Sequence, residues 1–570
     1  MKKKLVLFIF LMLTSNISIS QWSSDPAQNL RVTTTGLLPE IVTDGVGGAY
    51  ILYKDMPLEN VHLYLQRLDK YGYRKFAGNG IRIADSNRFQ QQFFNLISDE
   101  HYGVIIGFQD VIFTDDSTYY YNAHVQRIDS TGQKLWGENG ILIDKGHEAQ
   151  VFIVSLCNDG TGGCYVFWGR YYNRNHKELW AQRVDKEGHI MWDSSGVMIT
   201  DQFVSFDYPT NCLSAIDGMN GTICHYYDST GAKLQRIDSN SNFLWGNGVT
   251  PFSKIWWANM KADVSNGVII AGSYRSTYDE NIGGWRKNIG AQRIDGDGNK
   301  LWGEDGIIVA DLIINNSPPE MTINDLENNV IVWNSKQYNN NNIYAQKIDS
   351  TGNLKWKNGG IFIADAKFGY GKVATDYSGG AIIIWDYSVL DGIQLSSKLY
   401  GQYVNSQGRN LWASDILISS RTKISAFQTI PSENNGAIIC WYEIPPDIGV
   451  YAQQVSINGN LGEVISTIVK NKIRNELPKK IQLFQNYPNP FNANTVIMYQ
   501  ISQLAFVNIT IFDITGKEVI NLAHKKQKAG IYQIIWEGKK SKGGDAASGL
   551  YFIQLKVDDY VKVIKSLLIK

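Results

Sequence analysis

Apolar and polar residues alternate along most of this chain in short runs, the period of a half-buried β-strand. Segments such as YLQRL (64–68) and VQRI (125–128) carry the pattern, and glycine-containing turns separate them. One phrase recurs: Gln, a basic or polar residue, an apolar residue, Asp, a turn, then an aromatic. It reads QRLDKYGYRKF from Gln66, QRIDSTGQKLW from Gln126, QRVDKEGHIMW from Gln182 and QRIDSNSNFLW from Gln235. QRIDGDGNKLW from Gln292, QKIDSTGNLKW from Gln346 and QYVNSQGRNLW from Gln402 follow, and QQVSINGNLG from Gln453 stops short of its Trp. Ten residues separate Gln from the aromatic in all seven complete copies, whereas the copies start 51 to 60 residues apart. Fixed internal spacing with a variable period describes a rigid unit joined by tolerant loops.

Each unit reads as strands. Asp129 caps a turn whose Gly132 takes positive φ, and a short strand returns to Trp136. Upstream lies a second hairpin, such as IVTDGVGGAYILY around Gly47 and Gly48 or VATDYSGGAIIIW around Gly379 and Gly380. Its second strand ends in an aromatic in seven of eight units (Tyr53, Phe108, Trp168, Tyr226, Trp333, Trp385 and Trp441), with Gly272 the exception. Four antiparallel strands in about 55 residues make a β-propeller blade. Eight hairpins predict eight blades over residues 21–468; a seven-bladed ring with one aberrant unit, or an open solenoid, is the alternative. The last copy lacks a Trp strand after Gly459, and Trp22 in QWSSDPAQNLRVTT stands where that Trp would be. The N-terminal strand is therefore expected to complete the last blade and remove the exposed edges of an open array. Repeated at one offset, the Trp reads as inter-blade core and the Asp as a turn cap.

The two ends of the chain differ from the middle. Lys2 to Lys4, the nine apolar residues Leu5 to Leu13, and Ser18 and Ser20 before Gln21 form the three-part pattern of a secretory signal peptide at 1–20. Nine apolar residues cannot span ~30 Å of hydrocarbon, so no transmembrane anchor is expected. After a polar linker at 469–480, residues 481–570 alternate again as a small Ig-like β-sandwich, which makes the chain all-β. Lys plus Arg and Asp plus Glu both number 54, which argues against a nucleic-acid partner. That neutrality hides a split: residues 478–570 carry a net charge of +7 and residues 21–477 a net charge of −10.

The C-terminal stretch contains IQLFQNYPNPFNANTVIMYQI, with Tyr487, Pro488, Asn489, Pro490, Phe491 and Asn492, then FVNITIFDITGKEV, SGLYFIQLKV and a final KVIKSLLIK. In order and wording it resembles the type A C-terminal sorting domain of the type IX secretion system. The resemblance implies a Bacteroidota-like source, partnership with the secretion machinery, and delivery through periplasm and outer membrane to the cell surface or medium.

No HExxH, GxSxG, P-loop or strand-linked GxGxxG motif occurs, and the eight histidines form no close ligand pair. No cofactor is expected; Asp295, Asp297 and Asn299 could hold Ca²⁺ but read better as a plain turn. Cys157 with Cys164, and Cys212 with Cys224, bracket successive turns and are candidate cross-strand disulfides in an exported protein. Up-down blades gather the variable loops at one end. That end carries Tyr119, Tyr120, Arg170, Tyr171, Tyr172, Arg174, His176, Trp256, Trp257, Trp285 and Arg286. Aromatics beside arginines suit sugar stacking or a protein contact. The expected function is a non-catalytic binding, scaffold or adhesion protein with an extracellular carbohydrate or protein ligand. The alternative is an extracellular hydrolase or lyase that uses carboxylates in the central funnel on polysaccharide.

Overall fold

The computed structural model describes residues 21–55, 61–84, 94–113, 119–146, 149–204, 212–252, 255–263, 266–279, 284–313, 318–325, 328–337, 340–391, 394–432 and 436–462. It also describes 481–569 apart from 485, 487, 488, 490, 493, 494, 504, 528, 529, 537, 542, 543 and 559. Some strand residues are described by backbone alone. The segments expected to be a signal peptide (1–20) and a linker (469–480) lie outside these residues. Two compact units result, Met1–Ile465 and Ser466–Lys570.

Among the described residues the first unit is built of eight sheet units in chain order, each an antiparallel meander. Blade 1 comprises Leu37–Thr43, Ala49–Lys54, Leu63–Leu68 and Ile81–Arg82; blade 2 comprises Phe94–Ser98, Val104–Phe113, Tyr119–Ile128 and Ile141–Asp144. Blade 3 comprises Gln150–Asn158, Cys164–Asn173, His176–Val184 and Val197–Thr200. Blade 4 has three strands, Leu213–Ile216, Thr222–Asp228 and Gly231–Ile237, with a Leu234–Val249 bridge in the fourth position; the strands of blades 5 to 8 run from Ile255 to Ile313, Glu320 to Lys367, Gly371 to Ser419 and Ile424 to Val455. A single bridge, Lys367 to Ser388, joins the sheets of blades 6 and 7. The first strand of each sheet packs on the first strand of the next, from Leu37–Thr43 round to Ile424–Pro431 and back to Leu37–Thr43. The ring is thereby closed around an axis flanked by first strands.

Its closure uses the N-terminus. Leu30–Thr33 pairs with Gly449–Val455 as the outermost strand of blade 8. Trp22 is buried and donates Nε1–H to the Lys70 carbonyl at 3.0 Å. The missing Trp of the eighth copy is thus supplied from the other end of the chain, as the sequence predicts.

The recurring phrase is a plug between neighbours. In blade 2, Gln126 Oε1 accepts from the backbone N–H groups of Arg127 (3.0 Å) and Trp136 (3.2 Å), and its Nε2 donates to the Gly137 carbonyl. Arg127 Nε donates to Asp99 Oδ2 at 2.9 Å, and its Nη1 reaches the Lys186 carbonyl of blade 3 at 3.0 Å. Trp136 Nε1 reaches the same carbonyl at 3.2 Å. Gly188 sits against Trp136 at φ +93°, where a Cβ would lie 2.8 Å from the indole, so only glycine fits. Trp245, Trp302, Trp356 and Trp412 repeat the contact on Gly296, Ser350, Ser406 and Ile457. The Asp of each phrase caps its turn: Asp129 Oδ1 accepts from Thr131 and Gln133, and Asp349 Oδ1 from Thr351 and Asn353.

A second repeated element escapes the sequence pattern. In six blades the aromatic of the second strand stacks on the residue two before the phrase's Gln: Tyr53–Tyr64, Phe108–His124, Trp168–Trp180, Trp333–Tyr344, Trp385–Tyr400 and Trp441–Tyr451, whereas in blade 4 Tyr226 faces Lys233. Such pairs add about 0.5–1.5 kcal/mol beyond the area they bury. In blade 5 both partners are glycine, Gly272 facing Gly290, so the exception in the sequence is a matched one.

The disulfide expectation is corrected: all five cysteines are free and buried. Cys157 pairs in register with Tyr165, and Cys164 with Asn158. This one-residue offset sends the two thiols to opposite faces, Cys164 into the core between blades 2 and 3 and Cys157 into that between blades 3 and 4. Cys224 lies opposite Ser214, and Cys212, which shares its core, is two residues out of register. Burial pushes the Cys157 and Cys224 thiols up to about 12, which leaves them unreactive.

The second unit packs a three-stranded sheet (Gln482–Leu483, Thr495–Ile501, Gly530–Trp536) and a four-stranded sheet around one core. The four-stranded sheet runs Glu518–Gln527, Ala505–Asp513, Gly549–Val557, Tyr560–Leu568. Of the NYPNPFN segment, Tyr487, Pro488 and Pro490 lie outside the described residues. Asn489 Oδ1 accepts from the Leu567 N–H at 2.7 Å, and Phe491 bonds through its backbone to Leu567 and Ile569. The Phe491 ring is buried against Trp536. The segment therefore fastens the last strand of the domain.

Candidate functional site

Among the described residues a cleft of about 440 Å³ opens at the loop end, between blades 2 and 3. That size falls in the range of small-ligand sites, ~300–1,000 Å³. Its walls come from four elements. The third strand of blade 2 brings Tyr120 and Tyr121, the loop between the blades brings Gly146 and Ala149, the start of the first strand of blade 3 brings Gln150, and the hairpin formed by the second and third strands of blade 3 brings Tyr171, Tyr172, Asn173, Arg174 and Lys177.

Local bonds fix each wall. Asn173 Oδ1 accepts from the N–H groups of Asn175 (2.9 Å) and His176 (3.0 Å), a side-chain cap that holds Arg174 at the hairpin tip. Tyr171 is wedged edge-on between Phe152 and Phe203, and Phe152 also meets Tyr121. Lys177 Nζ lies 5.3 Å from the Tyr171 ring centre. At Gly146 a Cβ would come within 2.1 Å of the Tyr121 carbonyl, so the loop can approach this strand only through glycine.

Behind the cleft the polar groups satisfy one another. Tyr172 stacks on His176 at 4.6 Å, and its hydroxyl donates to Glu178 Oε2 at 3.4 Å. Glu178 also accepts from Trp180 Nε1 at 2.8 Å and faces His176 Nε2 at 3.3 Å. Burial and the Glu178 charge raise the Tyr172 hydroxyl above its ordinary value. Arg170 turns away from the opening. It donates Nε to Asp144 Oδ2 at 2.6 Å, beside the Trp168 indole N–H on the same oxygen, and lies 4.3 Å above the Trp180 ring.

Of the residues singled out in the sequence, Tyr120, Tyr171, Tyr172 and Arg174 line the cleft, His176 braces Tyr172, and Arg170 serves the blade. The side chains of Tyr119, Trp256, Trp257, Trp285 and Arg286 lie outside the described residues. Sequence reasoning missed Tyr121, Gln150 and Lys177; the alternation that sends Tyr171 inward gives no sign that the next loop curls over it. At the other candidate, the Asp295 turn, Oδ1 accepts from Asp297 and Asn299 and Oδ2 from the Asn299 amide, the geometry of a capped turn. No group of three or more His, Cys, Asp or Glu able to hold a metal occurs among the described residues. Near the axis, on first strands, Glu320 is bound by Lys372 at 2.5 Å, and burial pushes the Glu40 carboxyl up to about 8.

Residues 492–559 match the family described as the FlgD Ig-like domain. The chain is a β-propeller with an Ig-like domain at its C-terminus. No curated protein matches it. Among solved structures, an ulvan lyase described as a new polysaccharide lyase family, PL25, is similar at 11% identity and a TM-score of 0.39, over 78% of this chain and 97% of that one. A protein of unknown function from Dyadobacter fermentans follows at 9% identity and 0.33, over 65% and 95%. PorZ of Porphyromonas gingivalis, an essential surface component of the type-IX secretion system, follows at 10% and 0.16, over 95% and 99%. At such identities and scores the likeness carries no functional argument.

Proposed function

We propose that this protein is an exported, surface-delivered propeller that binds an extracellular saccharide in the cleft between blades 2 and 3 without cleaving it. The lining of that cleft carries the reading: four tyrosines, two amides, an arginine and a lysine, with no carboxylate among its described residues. Tyrosine rings supply flat apolar faces for sugar rings, and the amides supply directional polar contacts. A glycoside hydrolase needs two carboxyl groups ~5–10 Å apart across the scissile bond. Among the described residues, Asp144 and Glu178 on the strands beside this cleft are each engaged by neighbouring donors. The axial Glu320 is neutralised by Lys372.

Export rests on the signal pattern at 1–20 and the sorting-domain resemblance at 481–570, and the fastening of the last strand by Asn489 and Phe491 gives that motif a structural role. The mature chain, tested on a panel of bacterial, algal and plant oligosaccharides by calorimetry and by product analysis, should bind at least one saturably and release no product. Tyr172→Ala should abolish that binding. Turnover of any panel member would replace this reading with the enzymatic one. A chain ending near Pro478 should accumulate in the periplasm, and its display at the surface at the full chain's level would remove the sorting assignment.

A further inference from the structure

Residues 21–477 carry an acidic excess of ten charges, yet the described lining of the cleft holds Arg174 and Lys177 and no acid. A basic cleft on an acidic body concentrates field lines at one place and selects anions there. We infer that the saccharide is acidic, with its carboxylate or sulfate held by Arg174 and Lys177 while a sugar ring lies on Tyr172; this rests on the saccharide-binding reading above.

The placement of the two cations supports it. Arg174 stands exposed at the tip of a hairpin whose turn is capped by Asn173, and no ion-pair partner for it occurs among the described residues. A planar guanidinium in that position presents its fork of N–H donors to a carboxylate or sulfate. Arg170, four residues earlier, shows the contrast: its guanidinium is committed to Asp144 on the strand. Lys177 lines the cleft from the third strand, its Nζ 5.3 Å from the Tyr171 ring centre, so the tip and one arm of a single hairpin each bring a cation to the cleft. Tyr172, two residues before Arg174, is held face-on by His176 and tethered through its hydroxyl to Glu178. That tether leaves the ring fixed before a ligand arrives, which lowers the ordering cost of binding.

The test titrates the mature protein with tetrasaccharides in three sets: uronates, the same uronates as methyl esters, and sulfated neutral sugars with their unsulfated parents. Tight binding to a charged set, weakening about 10- to 100-fold on esterification or desulfation and by a similar factor in Arg174→Gln, is the expected result. Affinity should fall as salt rises. The uronate and sulfate arms distinguish a carboxylate from a sulfate as the recognised group. Arg409→Gln, the same charge change at the turn end, should leave affinity unchanged, and both variants should melt with the parent protein. Equal affinity for charged and neutral partners, with no effect of Arg174→Gln, would overturn the acidic specificity and leave saccharide binding standing. Failure to bind any of the sets would overturn both.

Discussion

At the turn end of the ring Asp129, Asp185, Asp295 and Asp349 make the same pair of backbone bonds in blade after blade, and a Trp from seven of the eight units reaches the next unit's turn. At the loop end Tyr172, Arg174 and Lys177 stand on one hairpin, and the matching hairpins of blades 7 and 8, GIQLSS and IPPDIG, carry none of them. The same strands run between both ends, so the difference arises in what each loop must do. Positions that hold neighbours together recur because every interface poses the same packing problem. Positions that meet a ligand have no reason to recur.

The comparison breaks most visibly at the closure. Removing residues 21–35 takes away Trp22 and the outermost strand of blade 8, and the loss should exceed the ~3–5 kcal/mol of one buried Trp. Calorimetry should show a clear drop in melting temperature; an unchanged transition would mean that the ring does not depend on its N-terminal strand. Next in size is Asp99→Ala at the turn end. It leaves Arg127 unpaired in a buried site and should cost about 3–5 kcal/mol by denaturant unfolding.

Acid should act more gradually. Burial lowers His124 to about 4 and His225 to about 3, from an ordinary 6.5. Both are therefore neutral in the fold and take up protons on unfolding, so stability is full above about 6.5 and falls as pH drops toward 4. Each contributes a slope of about 1.4 kcal/mol per pH unit in that window. His124→Phe keeps the stack on Phe108 and should remove its share of the slope in pH-dependent melts. The smallest effect on stability belongs to the loop end. Arg174→Ala should shift stability by no more than ~0.5 kcal/mol, since the side chain is exposed and packs on nothing the fold needs. A loss several times larger would make this hairpin a packing element like the turns opposite.

Much of the ring was legible because its repeated residues answer to local rules. The Asp-to-Gly turn, the fixed Gln-to-Trp distance and the stray Trp22 all read directly from spacing. The stacked partner two before each Gln was not, since Tyr, His and Trp alternate there with Lys and Gly, and only cross-strand register unites them. Register also defeated the cysteine pairing, where one residue separates a shared face from opposite faces. At the cleft, counting loops located Tyr120, Tyr171, Tyr172 and Arg174. It could not distinguish Arg174 from Arg170, whose acid partner Asp144 lies 26 residues away on a neighbouring blade.

The strand that closes the ring also sets a clock. Leu30 pairs with Ala452, roughly 420 residues later. At ~5–20 residues per second of synthesis, the first strand waits about 20–80 s before its partner exists. During that interval Leu30 to Thr33 are unpaired, and the face of every finished blade is covered only by the next one to emerge. A chain carried across a membrane before residue 452 is made would travel without its ring, and the propeller would first become whole on the far side.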